Sequence, residues 1–256
     1  MKITGAKLKS FSHKWASNIL WLLFKYNHFK KYCSDTFGIE GLNPYGWYHW
    51  HDGARCFTAI LKNNGQPVFI KTDETFHLVE NEDRMSRKFS NGLPKSCPRI
   101  EISDLNGPIK LLVYEYIKGR TLDDYLSMPC ADVDWPYFYN ELLKILDNLY
   151  RLNMIHRDIT PSNILIQSYS NNSFMRIVLI DFAFAVIAGE TCIDSQYDKS
   201  KVTHLGLGLN PKPYFWDDAH SSLQILKRIE ECSGRLYPSW RDKIEKRVGR
   251  ITHTIC

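Results

Sequence analysis

The stretch that most restricts how this 256-residue chain can fold runs from Ile155 to Ala183. Two short apolar runs, Ile164 to Ile166 and Met175 to Ile180, flank a polar turn from Ser168 to Ser173. Runs this short, bounded by turn residues, suit strands and are too brief for helices. Beside them lie the residues able to do chemistry: His156, Arg157, Asp158 and Asn163 before the first run, and Asp181 directly after the second. Upstream, Asp134 is a fitting N-cap with Pro136 in the first turn, and Trp135, Phe138, Leu142, Ile145, Leu149 and Leu152 form one stripe. That pattern predicts a long core helix leading into the loop.

The first half of the chain reads differently. Phe57 to Leu61 and Pro67 to Lys71 bracket Asn63-Asn64-Gly65, which predicts a hairpin. A charged segment from Glu74 to Phe89 reads as a helix ended by Pro94 and Pro98. Ile100 to Ser103 and Ile109 to Tyr116 then predict a second hairpin. Ahead of all this, Phe11, Trp15, Ile19, Leu22, Tyr26 and Phe29 recur at helical spacing, accompanied by Lys14, Lys25, Lys30 and Lys31. Two readings stay open for that helix: packing on the neighbouring strands, or lying on an anionic membrane surface.

Composition narrows the classes. A 44% hydrophobic, 24% charged chain without repeats is expected to be globular. Its 33 basic and 28 acidic residues give a net +5, too mild an excess to expect a nucleic-acid partner. Seven cysteines without a C-x-x-C pair argue for free thiols in a reducing compartment. The apolar stretch Ile19 to Phe24 is far below the roughly 20 residues of a membrane-spanning helix, and no small-residue cleavage site follows it. A cytoplasmic location is expected, with peripheral membrane association as an addition if the first helix is interfacial.

His156-Arg157-Asp158 with Asn163 five positions later resembles the catalytic loop of protein kinases, and Asp181-Phe182-Ala183 resembles their D-F-G tripeptide. Val68-Phe69-Ile70-Lys71 resembles the V-A-I-K strand, and Leu111 to Gly119 resembles the strand and hinge between the lobes. The physics agrees with the residue types. A transferring phosphoryl group carries charge that metal ions neutralise, and hard cations take oxygen ligands such as a carboxylate or carboxamide.

The resemblance implies an α+β, bilobal protein-kinase-like fold. It comprises an N-terminal helical extension over 1–40, a small, mostly antiparallel β lobe over 41–117 and a truncated, mainly helical large lobe over 118–256. It implies ATP with Mg²⁺ or Mn²⁺ as cofactors, Asp158 as the base, and Asn163 and Asp181 as metal ligands. Lys71 would hold the phosphates, paired with Glu82 or alternatively Glu80. Glu115 and Ile117 would meet the adenine through backbone groups, with Tyr114 guarding the pocket behind. Asp218, in Trp216-Asp217-Asp218, resembles the Asp that holds the catalytic loop.

The pattern also departs from the family. Only His51-Asp52-Gly53-Ala54 stands where the glycine-rich phosphate loop is expected, so Gly53 is its sole candidate. Ala183 replaces a glycine, Thr160 stands where protein Ser/Thr kinases carry a lysine, and no A-P-E follows Asp181. With only about 75 residues after Asp181, the second half is similar to compact bacterial sugar kinases, lipopolysaccharide core heptose kinases in particular. A glycan or glycolipid acceptor is therefore expected. The alternatives are a compact Ser/Thr protein kinase, self-modifying at Thr191, Ser195, Ser200 or Thr203, and a non-catalytic interaction module. His49 and His51 could pair on a metal, but no nearby Cys or carboxylate pattern completes that set.

Overall fold

Asn63-Asn64-Gly65 closes the first hairpin in the computed structural model, which describes residues 16–47, 50, 54–74, 78–128, 133–168, 175–190, 202, 204–206 and 208–254. Gly65 takes φ +69, a conformation that side chains disfavour, and its N–H reaches the Leu61 carbonyl at 2.8 Å. The chain divides into two compact units, Met1–Glu80 with Ile100–Tyr116, and Asn81–Arg99 with Ile117–Cys256.

The first unit begins with helix α1 over residues 16–24 and α2 (Tyr26–Phe37), followed by β1 (Ile39–Pro44), β2 (Ala54–Leu61) and β3 (Pro67–Asp73). Helix α3 (Leu78–Ser90) starts here, and β4 (Ile100–Asp104) and β5 (Lys110–Glu115) complete an antiparallel sheet of order β1-β2-β3-β5-β4. Both expected hairpins are present. Alternation along β3 sends Val68 and Ile70 into the core and leaves Phe69 and Lys71 on the opposite face. The core face is covered by an aromatic cluster in which Trp21 meets Trp50 edge-on at 5.9 Å and Phe29 lies 5.1 Å from Phe57.

The expected stripe is present except at its start. A turn at Lys25 separates α1 from α2, yet Leu22, Tyr26 and Phe29 pack on the same cluster. The N–H of Lys25 reaches the Trp21 carbonyl and that of Phe29 the Lys25 carbonyl, so the buried face runs on from one helix to the next. Trp21 and Asn18 are buried from α1, Phe29 and Cys33 from α2, and Ile19 is exposed. Asn18 replaces its lost water by donating through Nδ2 to the carbonyls of Trp47 and Trp50, at 3.0 and 3.2 Å.

From Ile117 the second unit continues with β6 (Arg120–Thr121) and α4 (Leu122–Leu126), then α5 (Trp135–Arg151) and β7 (Met154–Ile155). Strands β8 (Ile164–Ser168), β9 (Met175–Leu179) and β10 (Val186–Ile187) come next. They are followed by β11 (Phe215–Trp216), α6 (Asp218–Ser233), α7 (Pro238–Glu245) and β12 (His253–Thr254). Asp134 caps α5 by accepting from the Tyr137 N–H at 3.0 Å, and Phe138, Leu142, Ile145 and Leu149 are buried along it as expected. Three small antiparallel sheets, β6-β8-β9, β10-β7 and β11-β12, surround this helical core. Gly119 is required by a close approach: a Cβ there would come within 2.7 Å of the Ile166 carbonyl oxygen.

Among the described residues Cys33, Cys56, Cys97 and Cys232 are free thiols, and burial pushes Cys33 up to about 12, which marks it as inert packing. Replacing Trp21 by Ala removes the centre of the aromatic cluster and its Nε1 bond to Glu74 at 2.8 Å. A stability loss of about 3 kcal/mol or more is expected in urea unfolding. A loss below about 1 kcal/mol would show that the cluster recloses without the indole.

Candidate active site

The site in the second unit starts from backbone geometry. Asp218, at the first turn of α6, is buried and its carboxylate accepts the N–H of His156 at 2.6 Å and that of Arg157 at 3.1 Å. This stabilises Arg157 at φ +69, a left-handed conformation unusual for a long side chain. Burial pushes the Asp218 carboxyl up to about 7, while the two N–H groups and the Arg157 guanidinium pull it down. The Arg157 side chain turns inward, donating from Nε to the Phe184 carbonyl at 2.6 Å with its guanidinium 5.2 Å from the Trp216 ring.

His156 is fully buried and serves as a spacer. Its Nδ1 accepts the Asp158 N–H at 3.3 Å, so the ring proton is on Nε2, which donates to the Ile180 carbonyl at 3.1 Å. The ring meets Phe182 edge-on at 4.7 Å. One imidazole thus ties the loop carrying Asp158 to the strand end carrying Asp181.

Asp158 is held at both oxygens. Asn163 Nδ2 donates to Oδ2 at 2.8 Å and to the Asp158 carbonyl at 3.0 Å, and the Gly206 N–H donates to Oδ1 at 2.7 Å. Each oxygen keeps a lone pair for a further donor. Burial pushes the Asp158 carboxyl up to about 6, and the charge of Asp181 adds to this, against the Gly206 and Asn163 bonds. Because Asn163 donates with its amide nitrogen, its carboxamide oxygen is the atom left to accept or ligate. The turn Pro161–Asn163 is closed by Asn163 N–H to the Thr160 carbonyl, and Ile180 N–H reaches the Asn163 carbonyl at 3.0 Å. That bond brings Asp181 alongside Asn163.

Asp181 adopts φ +67 ahead of a short turn over Phe182–Phe184. Asn81 on α3 donates to the carbonyls of Ala183 and Ala185 at 2.8 and 3.0 Å, and Phe182 packs 5.0 Å from Phe89. Thr160 is buried with its hydroxyl 2.9 Å from Ser162 Oγ.

The remaining expected residues are distributed across the units. In the first, Lys71 lies on β3 opposite Cys56 and Leu112. Tyr114 is buried on β5, and Glu115 ends that strand opposite Val68. Glu80, the alternative partner of Lys71, is engaged by Lys110 at 2.5 Å. In the second, Glu82 is buried on α3, and the Ile117 carbonyl accepts the Gly119 N–H at 2.9 Å. Gly53, His49, His51, Thr191, Ser195, Ser200 and Thr203 lie outside the described residues. Sequence reasoning missed Gly206 and Asn81. The closely spaced Gly206 and Gly208, both at positive φ, carried a faint signal of a special backbone, whereas Asn81 carried none.

Residues 99–204 match the protein kinase domain. A probable serine/threonine-protein kinase KIN1 homolog of Encephalitozoon cuniculi is 34% identical over 76 residues, covering 29% of this chain and 12% of that one. The serine/threonine-protein kinase dkf-2 of Caenorhabditis briggsae is 28% identical over 142 residues, 52% of this chain and 12% of the relative. The cell cycle protein kinase DBF2 of Candida albicans is 30% identical over 142 residues, 53% of this chain and 18% of the relative. The chain thus aligns with less than a fifth of the length of each of these three relatives. With the α+β architecture described above, the match makes the fold protein-kinase-like.

Asp218→Ala leaves two buried N–H groups without an acceptor and Arg157 without support for its left-handed backbone. A stability loss of about 2 to 4 kcal/mol is expected in urea unfolding. Loss under about 1 kcal/mol would mean that the loop holds itself.

Proposed function

We propose, from the likeness to protein kinases, that this chain is an ATP- and metal-dependent phosphotransferase acting on an alcohol. The observation that carries the reading is the pairing of a partly buried, doubly held Asp158 with Asn163, whose carboxamide oxygen is left to accept or ligate and whose backbone carbonyl is bonded by the residue before Asp181. A carboxylate and a carboxamide fit a hard cation, and Mg²⁺ commonly takes one or two protein oxygens and completes its shell with water and phosphate. Among the described residues there is no group of three His, Cys, Asp or Glu to hold a metal, so a cation here would rely on such a mixed shell. Bound ATP with its metal supplies the phosphoryl group and neutralises its charge.

The chain's own groups then have distinct tasks. Asp158 accepts the acceptor's hydroxyl proton through a lone pair that neither Asn163 nor Gly206 occupies. Asn163 and Gly206 fix the direction of that carboxylate, which favours in-line attack. Asp181 and the Asn163 carboxamide oxygen hold the cation. By the likeness to protein kinases, Lys71 would hold phosphate oxygens with Glu82, or alternatively Glu80, as its partner, Gly53 would be the candidate for the phosphate loop, and Glu115 and Ile117 would meet the adenine through backbone groups.

For the acceptor, the names of the relatives favour a serine or threonine hydroxyl on a protein. A sugar hydroxyl on a glycan or glycolipid, the acceptor expected from the sequence, has one observation in its favour. Thr160, buried and paired with Ser162, offers no cation where Ser/Thr kinases have a lysine. A cytoplasmic location belongs to the same proposal.

Asp158→Asn is expected to lower turnover by about 10² to 10⁴ while nucleotide binding persists, and Asp181→Asn to weaken metal-dependent nucleotide binding itself. Transfer from labelled ATP should be followed on a peptide library and on cell-envelope glycans in parallel, with Tm shifts reporting nucleotide and metal binding. Normal turnover in both variants, or a Tm unmoved by saturating ATP and Mg²⁺, would overturn the assignment.

A further inference from the structure

We propose that the outer face of α1, with the lysines around it, docks this chain on an anionic lipid surface. The proposal is independent of the phosphotransfer reading.

The first observation is where apolar surface is left in water. Ile19, Leu20, Leu23 and Phe24 are 41, 54, 66 and 68% exposed, and all four lie within a single helical run. Leu20, Leu23 and Phe24 stand at i, i+3 and i+4, with Ile19 four residues before Leu23, so they share one continuous face. Scattered exposed leucines need no explanation, but a clustered apolar face does. The helix cannot roll to hide it. On its inner side, Trp21 is 3% exposed and bonds Glu74, and Asn18 holds the carbonyls of Trp47 and Trp50.

The second observation is the distribution of charge. The first 34 residues contain seven lysines and no aspartate or glutamate; the first acidic residue is Asp35. Of the chain's 33 basic and 28 acidic residues, 26 and 28 remain beyond that point, so the entire positive excess belongs to this end. Lys30 and Lys31 are exposed on α2, with His28 one turn before them. Lys25 is 59% exposed at the junction of the two helices. Glu74, which pairs with Lys25 at 3.3 Å, is shared with Arg55 at 3.4 Å.

An exposed apolar face in a segment with a strong excess of lysine matches an anionic bilayer, whose acyl boundary takes leucine and phenylalanine while its headgroups attract the cations. A nucleic acid would use the lysines and leave Leu20, Leu23 and Phe24 without a role. Among the described residues no helix is long and apolar enough to cross a membrane, so the contact is peripheral.

The full chain should be floated with phosphatidylcholine vesicles with and without phosphatidylserine, and binding measured against salt. Binding is expected only with phosphatidylserine and should weaken as salt rises. The double variant Leu23→Glu with Phe24→Glu should lose binding by about tenfold or more, and Lys30→Glu with Lys31→Glu should remove the preference for phosphatidylserine. All four side chains are exposed, so an unchanged Tm and circular dichroism spectrum should accompany both losses. Three results would overturn the proposal. They are no vesicle binding at low salt, single-stranded RNA binding lost with the lysines alone, and self-association abolished by the Leu23 and Phe24 changes without vesicle binding.

Discussion

The backbone of the loop that leads to Asp158 is held by one buried carboxylate. Asp218 lies 62 and 61 residues beyond His156 and Arg157, yet its two oxygens collect the consecutive N–H groups of both. An isolated buried carboxylate is costly, and two backbone donors make it tolerable by giving its charge fixed partners. In return the loop gains a conformation it would not adopt alone, with Arg157 left-handed and its side chain folded back toward Phe184 and Trp216. Asp217 performs the same service one residue earlier. It caps α6 through Ala219 and His220 and accepts the Gly249 N–H at 2.7 Å, so the C-terminal turn is tied to the same point.

From that anchor the chemistry spreads by short, directed bonds. His156 relays position rather than protons, since each ring nitrogen already has a backbone partner of the matching kind. Asn163 divides its amide between two tasks, its nitrogen orienting Asp158 and its oxygen left for a ligand. Gly206 adds a backbone donor from a segment about 50 residues away, and glycine suits that place twice over. The backbone stands at φ +79, and a Cβ would come within 2.5 Å of the Asn210 amide.

Local signals made much of this legible in the sequence. Asp158, Asn163 and Asp181 stand in the expected order at strand ends, the α5 stripe is buried, and both hairpins close where turn residues predict. What stayed hidden depends on distant partners. Strand β1 contains Gly41, Asn43 and Pro44, poor strand formers, and exists because β2 offers it a ladder across a bulge. Ile19 is expected in the buried stripe and is exposed, whereas Asn18 and Trp21 are buried because the Trp47 and Trp50 carbonyls and the Glu74 carboxylate stand opposite them, partners that apolar periodicity cannot register. Asn81 reads as an ordinary polar helix residue until the Ala183 and Ala185 carbonyls stand opposite it.

The alanine at position 183 shows how a departure from a family pattern can be neutral in its own setting. Glycine is favoured where φ is positive or a neighbour presses on Cα. Ala183 is not among the positive-φ residues, and its buried methyl fits within the core. The backbone strain of this tripeptide is carried instead by Asp181, at φ +67. A strained residue persists only when its surroundings over-determine it, and here they do. His156 grips the Ile180 carbonyl before it, Phe182 is wedged between the His156 and Phe89 rings, and Asn81 bonds the carbonyls of Ala183 and Ala185 behind it. The methyl narrows the backbone states open to the segment before folding, so alanine costs less entropy here than glycine would. The same substitution would be destabilising if the left-handed turn fell one or two residues later, so the identity of residue 183 follows from which residue of the tripeptide carries the strain.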